Sequence, residues 1–497
     1  MKICIVSHEF EPFPGGGIAT YHNAAARIMA AAGHEVHFVT NAALHGSANE
    51  KHARQVHREG NLTVHRLAQF DEGRKISPDA MMFSERPAHW RDQASSWAVD
   101  ASNIAALLAA DYVRKLHAEV GLDVIESPEF FAESYYMIRA RRSGRTADFP
   151  PVCIHGHTSS RQAYRINSHY WELGSHPHRV MMAREDYCLQ QADALLLPSQ
   201  SLLSIYEREF GKHLPPIRAV VPYFLDLPPE QNLVELPRGI PQGKPFLLCV
   251  GRLEPRKGSD LAVRAFAELG REHPELHLVF LGREMWHHGE HFDDVIATHL
   301  PQDLRARVLR LGNVPRDQVL ACMRAASAFL HPAPWDNYPC ATLEAMSAGA
   351  VAIVSDQGGQ VEMMEPGVSG LLHRSEDAAD LVGVIRSVLD GTIDCAAIRR
   401  AARARAASVT DASMLLRERQ ILWDSLAQPK KAAGSTQKRP KGPDASKPVA
   451  LRGSGTIVID AGGVSVDRFE RTRDSVLAFD LPPKKWRVDV LVDPGAG

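Results

Sequence analysis

The sequence predicts an α/β chain: two Rossmann-like, doubly wound domains facing a cleft, then a basic linker and a short βαβ-like fragment. Three observations lead there. Strand, glycine-bearing loop and helix alternate through the first half. A second series of the same kind follows a proline-rich stretch between Val220 and Pro245. Past residue 427 the chain turns into a run rich in lysine, proline and glycine. Strands separated by single helices build parallel sheets, because a right-handed crossover packs each helix back on the sheet it left.

The first series opens on an apolar strand, residues 2–7, then Gly15, Gly16 and Gly17, then an alanine-rich helix from Ile18 to Ala32. Ile18, Ala25, Ile28, Met29 and Ala32 fall near one face of that helix, and Gly33 closes it. Glu35–Thr40 is the next strand, and Val124–Glu126, Val152–Ile154 and Ala194–Leu197 extend the sheet. In the second series the strands are Phe246–Val250, His277–Leu281, Val308–Leu311, Ala328–His331 and Val351–Ser355. Helices Ser259–Arg271, Arg316–Ala326 and Ala341–Ala348 lie between them. The expected division is a first domain over 1–220, a second over 221–410, and a terminal helix over 411–427 that crosses back to the first.

Residues 428–452 read as a flexible linker. Seven Lys or Arg and one Asp fall between 429 and 452, with no aromatic residue. Such a run is a solvated tether rather than a platform for nucleic acid. Beyond it, Thr456–Asp460 reads as a strand, Asp467–Phe479 has helical spacing, and Val488–Asp493 reads as a second strand. That makes 453–497 the βαβ-like fragment.

A length of 497 residues exceeds what one core organises. The 44% hydrophobic and 23% charged content is that of an ordinary globular protein, and a net charge of −2 gives no field that favours nucleic acid. No apolar run approaches the ~18 residues of a spanning helix. The seven cysteines include no CxxC pair, so neither a disulfide framework nor a zinc site is indicated. The expectation is a cytoplasmic protein, with peripheral contact at the inner face of a membrane left open.

Chemistry concentrates after three strands of the second series. Gly251-Arg252-Leu253-Glu254-Pro255-Arg256-Lys257-Gly258 follows a buried strand and precedes a helix. Arg252 and Lys257 converging at a strand's carboxyl end suit a diphosphate, and a solvated loop is the alternative. Asp336-Asn337-Tyr338-Pro339-Cys340-Ala341-Thr342-Leu343-Glu344 likewise runs from strand to helix. The amides around Ala341 and Thr342 can hold phosphate oxygens. Glu344 can accept from both hydroxyls of a ribose, and Asp336 from sugar hydroxyls. Then comes Gly358-Gly359-Gln360-Val361-Glu362, another glycine turn.

Together these motifs resemble retaining glycosyltransferases of the GT-B fold, family 4 type. The hallmarks are a G-R-x4-K-G loop, an acidic-x7-Glu motif ahead of a small-residue helix, and a G-G-x-x-E turn. The likeness spans about 1–427 and is specific over 246–374. It implies an acceptor-side domain at 1–220 and a nucleotide-sugar-binding domain at 221–410. It implies that Arg252 and Lys257, with Gly251, bind the donor diphosphate and that Glu344 holds the ribose. The sugar contact, usually Glu, is Asp336 here. Gly16 and Gly17 match the N-terminal loop that lets backbone approach the donor phosphate. His157 matches a histidine near the sugar, with His155 in reserve. Glu126 and Glu129 end a strand on the acceptor side and are either acceptor contacts or loop charges.

The resemblance implies a hexosyltransferase that retains anomeric configuration, working from a nucleotide-diphosphate sugar onto a glycan, lipid-linked or small-molecule acceptor. No cofactor or metal is expected, since Arg252, Lys257 and helix amides would oppose the leaving charge. The fragment at 453–497 looks like the opening of a family 2 (GT-A) glycosyltransferase domain. A second glycosyltransferase in a longer chain is therefore a further expected partner, and 450–497 should add nothing to catalysis by 1–427. Two rivals stay open, an epimerase on the same fold and a non-catalytic sugar-nucleotide or glycan-binding module.

Overall fold

The computed structural model describes residues 1–10, 16–41, 56–67, 101–167, 176–226, 234–285, 291–427, 455–460 and 486–491. Met1–Gln428 form one unit and Pro429–Gly497 another.

In the first unit β1 (Lys2–Val6), β2 (Glu35–Asn41), β3 (Val56–Glu59), β4 (Leu62–Leu67), β5 (Val124–Pro128), β6 (Val152–His155), β7 (Ala194–Leu197) and β8 (Ile217–Val220) make one sheet. Its order is β3-β4-β2-β1-β5-β6-β7-β8. Every pairing is parallel except the β3–β4 hairpin at the edge. The second sheet holds β9 (Phe246–Val250), β10 (His277–Leu281), β11 (Val308–Arg310), β12 (Ala328–His331), β13 (Ala352–Ser355) and β14 (Leu371–His373). It is parallel throughout, in the order β11-β10-β9-β12-β13-β14.

Parallel strands are covered by helices on both faces, so they read as continuous apolar runs, and this is why most were visible in the sequence. Each sheet reverses its winding once, between β1 and β5 and between β9 and β12. Ligands of such sheets sit outside the strand carboxyl ends at that switch. The glycine loop after β1, the Gly251–Gly258 loop after β9 and the Asp336 loop after β12 all lie there.

The two sheets share a core. Ile3, Ile5 and Phe38 of the first and Phe246, Leu248 and Phe329 of the second belong to one buried cluster. The helix Ala412–Ala427 adds Leu415, Leu422 and Trp423 to it. Among the described residues no helix is long and apolar enough to cross a membrane.

Element limits differ from the sequence reading by one or two residues, as helix ends commonly do. The first helix spans Gly17–Ala31, and the helix after the Asp336 loop begins at Cys340. Gly33 takes φ +92°, the left-handed conformation that makes it a helix stop. The β3–β4 hairpin, β14 and the helix Ala101–Val120 were not anticipated. In the second unit β15 (Gly455–Asp460) pairs in parallel with β16 (Trp486–Leu491), two residues ahead of the expected 488–493. Gly15, the linker 428–452 and the expected helix 467–479 lie outside the described residues.

Candidate active site

Two glycines fix the loop after β9. Gly251 has φ +133° and Gly258 φ +68°. A Cβ on Gly258 would stand 2.1 Å from the Pro332 carbonyl oxygen, so only glycine lets this loop lie against the end of β12. The approach sets Lys257 beside Asp336, with Nζ 2.5 Å from Oδ2. His331 Nε2 lies 2.9 Å from the same oxygen, and Oδ1 accepts from the Asn337 amide at 2.8 Å. Burial alone would raise the Asp336 carboxyl, but Lys257 and then His331 hold it well below the usual carboxylate range. Asp336, read from the sequence as an open loop acid, is therefore a buried anchor that aims Lys257.

Arg252 is the freer cation. Its side chain is 51% exposed and meets Glu254 at 3.3 Å. Arg256, which the sequence reading passed over, is buried. It pairs with Glu254 at 2.9 Å and stands 4.0 Å from Asp336. Three cations thus crowd two carboxylates at the end of β9.

The helix Cys340–Ala348 starts after Pro339 with no side-chain cap. The Thr342 amide, expected to be open, donates to the Pro339 carbonyl at 3.0 Å. Among the described residues this leaves Cys340 and Ala341 as the first-turn amides without a helical partner. Cys340 Sγ lies 3.9 Å from the Gly17 carbonyl oxygen. The beginning of this helix therefore faces the beginning of the first helix. Among the described residues a Cβ on Gly16 or Gly17 would meet nothing within 4 Å.

Glu344, on the next turn, is 12% exposed and held by Arg316 at 2.9 Å. Arg316 also donates to the Asp226 carbonyl at 2.6 Å. Burial raises the Glu344 carboxyl and Arg316 works against that. Arg316 gave no motif signal, since its partner lies 28 residues away.

From the end of β6 in the first sheet, His157 meets Asn337 of the Asp336 loop through its carbonyl. It is buried, and its Nδ1 is 2.8 Å from the Tyr223 hydroxyl. Its Nε2 has no hydrogen-bond partner among the described residues. Burial, then His155 and His8, hold the imidazole well below its ordinary pKa. His155 packs on Tyr21 with ring centroids 4.2 Å apart. Glu129 and Glu126 are buried and hydrogen-bonded within the protein, not solvated loop charges. Glu129 accepts the His157 amide at 2.7 and 2.8 Å and the Tyr206 hydroxyl at 3.1 Å. Glu126 is buried in β5 against Arg419 and Trp423. Both carry the framework that presents His157.

A clasp joins the halves beside these groups. Glu362 accepts the amides of Gln200 and Ser201, both at 2.8 Å, and so caps the helix Gln200–Phe210 from the other domain. Asn337 takes the Ser199 hydroxyl at 2.8 Å and donates to the His157 carbonyl. A Cβ on Gly359 would stand 1.8 Å from the Asn337 carbonyl and 2.5 Å from Ser199 Cβ. The second glycine of the turn is thus required by domain contact. Among the described residues no His, Cys, Asp and Glu cluster has the geometry to hold a metal.

Comparison with known proteins agrees with this arrangement. Residues 16–223 match the glycosyl transferase 4-like domain and residues 236–405 match the glycosyl transferases group 1 domain. The fold and the two matches define a GT-B glycosyltransferase. The chain belongs to the group 1 glycosyltransferase family. A glycogen synthase of Mycobacterium tuberculosis (strain CDC 1551 / Oshkosh) is 27% identical over 408 residues, 81% of this chain and 89% of the relative. The lipopolysaccharide core biosynthesis mannosyltransferase LpcC of Rhizobium leguminosarum bv. viciae is 31% identical over 147 residues, 30% of this chain and 41% of the relative. Among solved structures, the sucrose-phosphate synthase of Thermosynechococcus elongatus superposes with a TM-score of 0.61 at 18% identity, over 86% of this chain and 98% of that one. At that identity the likeness speaks for the fold.

Proposed function

We propose that this glycosyltransferase moves a hexosyl unit from a nucleotide-diphosphate sugar to a glycan, lipid-linked or small-molecule acceptor, with retention at the anomeric carbon and without a bound metal. The observation that carries the reading is convergence. Lys257 and Arg252 stand at the end of β9, Lys257 against Asp336 of the loop that leads to Cys340, and the helix start at Cys340 lies 3.9 Å from the one at Gly17. A departing diphosphate needs such an array, because fixed donors stabilise developing charge without reorganising. Gly251, Gly16, Gly17 and Ala341 line the diphosphate, with Thr342 behind them in the same helix turn, Glu344 takes the ribose, and Asp336 and His157 flank the sugar. Lys257, now on Asp336, is free to turn to phosphate when the donor arrives.

The family relatives named for glycogen and lipopolysaccharide synthesis support a role in polysaccharide or glycoconjugate assembly. The parallel pair β15–β16 supports reading 453–497 as the start of a second, GT-A domain behind the tether.

The test is a screen of UDP-, GDP- and ADP-sugars with mixed acceptors, the product anomer read by NMR. Transfer with retention is the expected result. An inverted product removes the retaining mechanism. A donor altered without acceptor indicates an epimerase, and a donor bound but unchanged indicates a binding module.

A further inference from the structure

The amides at the start of the first helix already hold an anion, supplied by the chain itself. Glu9, three residues beyond β1, accepts from the Gly16 amide and from the Ala19 amide with one oxygen, Oε2, at 3.0 Å each. No side chain caps this helix from the N-cap position, which is Gly16. The other oxygen, Oε1, faces His8 Nε2 at 3.5 Å. His8 is buried, and its Nδ1 meets Glu133 at 3.3 Å.

Three observations make this more than a helix cap. One of the amides that Glu9 occupies is that of Gly16, where among the described residues an added Cβ would meet nothing within 4 Å, and the other, that of Ala19, lies in the first turn of the helix. Burial lowers the half-exposed Arg252 of the opposite domain, and Glu254 and, more weakly, Glu9 work against that. Glu9 also has somewhere to go. Its Oε1 already lies 3.5 Å from His8 Nε2, so a carboxylate that let go of the amides would keep that partner. Burial by itself would lower His8, but Glu133 and Glu9 push it up to about 10, so the ring is an imidazolium at neutral pH.

We infer that Glu9 is a donor-site residue that occupies the phosphate-binding amides of Gly16 and Ala19 until a nucleoside diphosphate displaces it toward His8. The inference rests on the donor-site reading above. The amides stay satisfied in the free protein, and the ligand must outcompete a tethered carboxylate to enter. A diphosphate can do so because Arg252 and Lys257 assist it from the other side, an advantage that a lone carboxylate lacks.

The sign of the effect separates this role from a structural one. A cap that merely held the loop would weaken nucleotide binding when removed. A competitor strengthens it. The full chain is titrated calorimetrically with UDP, GDP and ADP as wild type, Glu9→Gln, Glu9→Ala and Arg252→Ala. The Gln variant keeps the shape of the side chain and loses the charge, and the Ala variant removes the contact should Gln perturb folding.

Either substitution should tighten the nucleotide that the wild type binds by about three- to tenfold, the usual scale of a charge at a helix start. The donor KM should fall in parallel. Without nucleotide the variants should melt lower than wild type, and saturating nucleotide should close that gap. Equal or weaker binding in both Glu9 variants overturns the inference. If Arg252→Ala weakens binding at the same time, the donor-site reading still stands. If no nucleoside diphosphate binds any of the proteins, that reading falls and the inference falls with it.

Discussion

Arg419 and Glu126 stand 293 residues apart in the chain and meet at 2.5 Å in the interior of the first unit. Arg419 belongs to the last helix of that unit and Glu126 to β5. Trp423 Nε1 donates to the other Glu126 oxygen at 3.0 Å, and the guanidinium lies 4.9 Å from the Phe224 ring centroid. Arg419 also donates to the Tyr21 hydroxyl, and Tyr21 packs on His155 and His157. Burial works against both charges, raising Glu126 and lowering Arg419. Arg419→Met should cost about 3–5 kcal/mol, because it strands a buried carboxylate. Adding Glu126→Gln should recover part of the loss. Denaturant unfolding of the two variants measures it, and a double variant as unstable as the single would disprove the pairing.

The diphosphate cations should dominate turnover. Arg252→Ala and Lys257→Ala are each expected to slow transfer by about two to three decades, or roughly 2–4 kcal/mol. Steady-state kinetics decides. Wild-type turnover in both variants would remove the assignment.

Asp336 and Glu344 should separate cleanly. Glu344→Gln is expected to weaken the donor and the free nucleotide alike, since both contain the ribose. Asp336→Asn releases Lys257 from its 2.5 Å partner, so transfer should fall while free-nucleotide affinity holds or rises. Calorimetry with the free nucleotide distinguishes them. Equal losses in both would refute the division.

Metal removal should be tolerated. Because the charge stabilisers proposed here are part of the chain, activity is expected to survive excess EDTA. Complete loss that a divalent cation restores would contradict the mechanism.

Glu129 supplies a pH dependence. Burial raises its carboxyl, the His157 amide works against that, and Glu185 adds to it, leaving it at about 8. A raised acid binds more protons folded than unfolded. Its contribution is therefore complete below the ordinary Glu value and is lost as pH rises through about 8. The slope between the two values is about 1.4 kcal/mol per pH unit. Melting temperatures from pH 5 to 9 should show Glu129→Gln gaining on wild type as pH rises. Parallel curves would count against the shift.

Much of this architecture was legible because parallel strands are apolar throughout and glycine loops punctuate them. β9, β10, β7 and β12 match the sequence reading residue for residue. The β3–β4 hairpin was hidden because it sits at the sheet edge. All of β3 is exposed, and His57, Arg58, His65 and Arg66 break any apolar run. At the site, short motifs pointed to Arg252, Lys257, Asp336 and Glu344. The groups that hold them were invisible for a different reason. Arg316 serves Glu344 from 28 residues away, and Glu362 caps a helix 162 residues earlier. Spacing within one loop carries no trace of such pairs. Asp336 was seen as an acid but not as an anchor, since nothing local shows that Gly258 brings Lys257 against it.

The union of β5 with the last helix also constrains how the polypeptide is made. Synthesis runs at roughly 5–20 residues per second, so Arg419 leaves the ribosome about 15–60 s after Glu126. During that interval the nascent amino-terminal half holds a carboxylate whose counter-ion does not yet exist. Its apolar surfaces destined for Leu415, Leu422 and Trp423 are bare for as long. The emerging first unit therefore exposes these surfaces, of the kind chaperones recognise, until the helix Ala412–Ala427 docks. Slowing translation between residues 126 and 419 should lengthen that exposure, whereas slowing it after 427 should not.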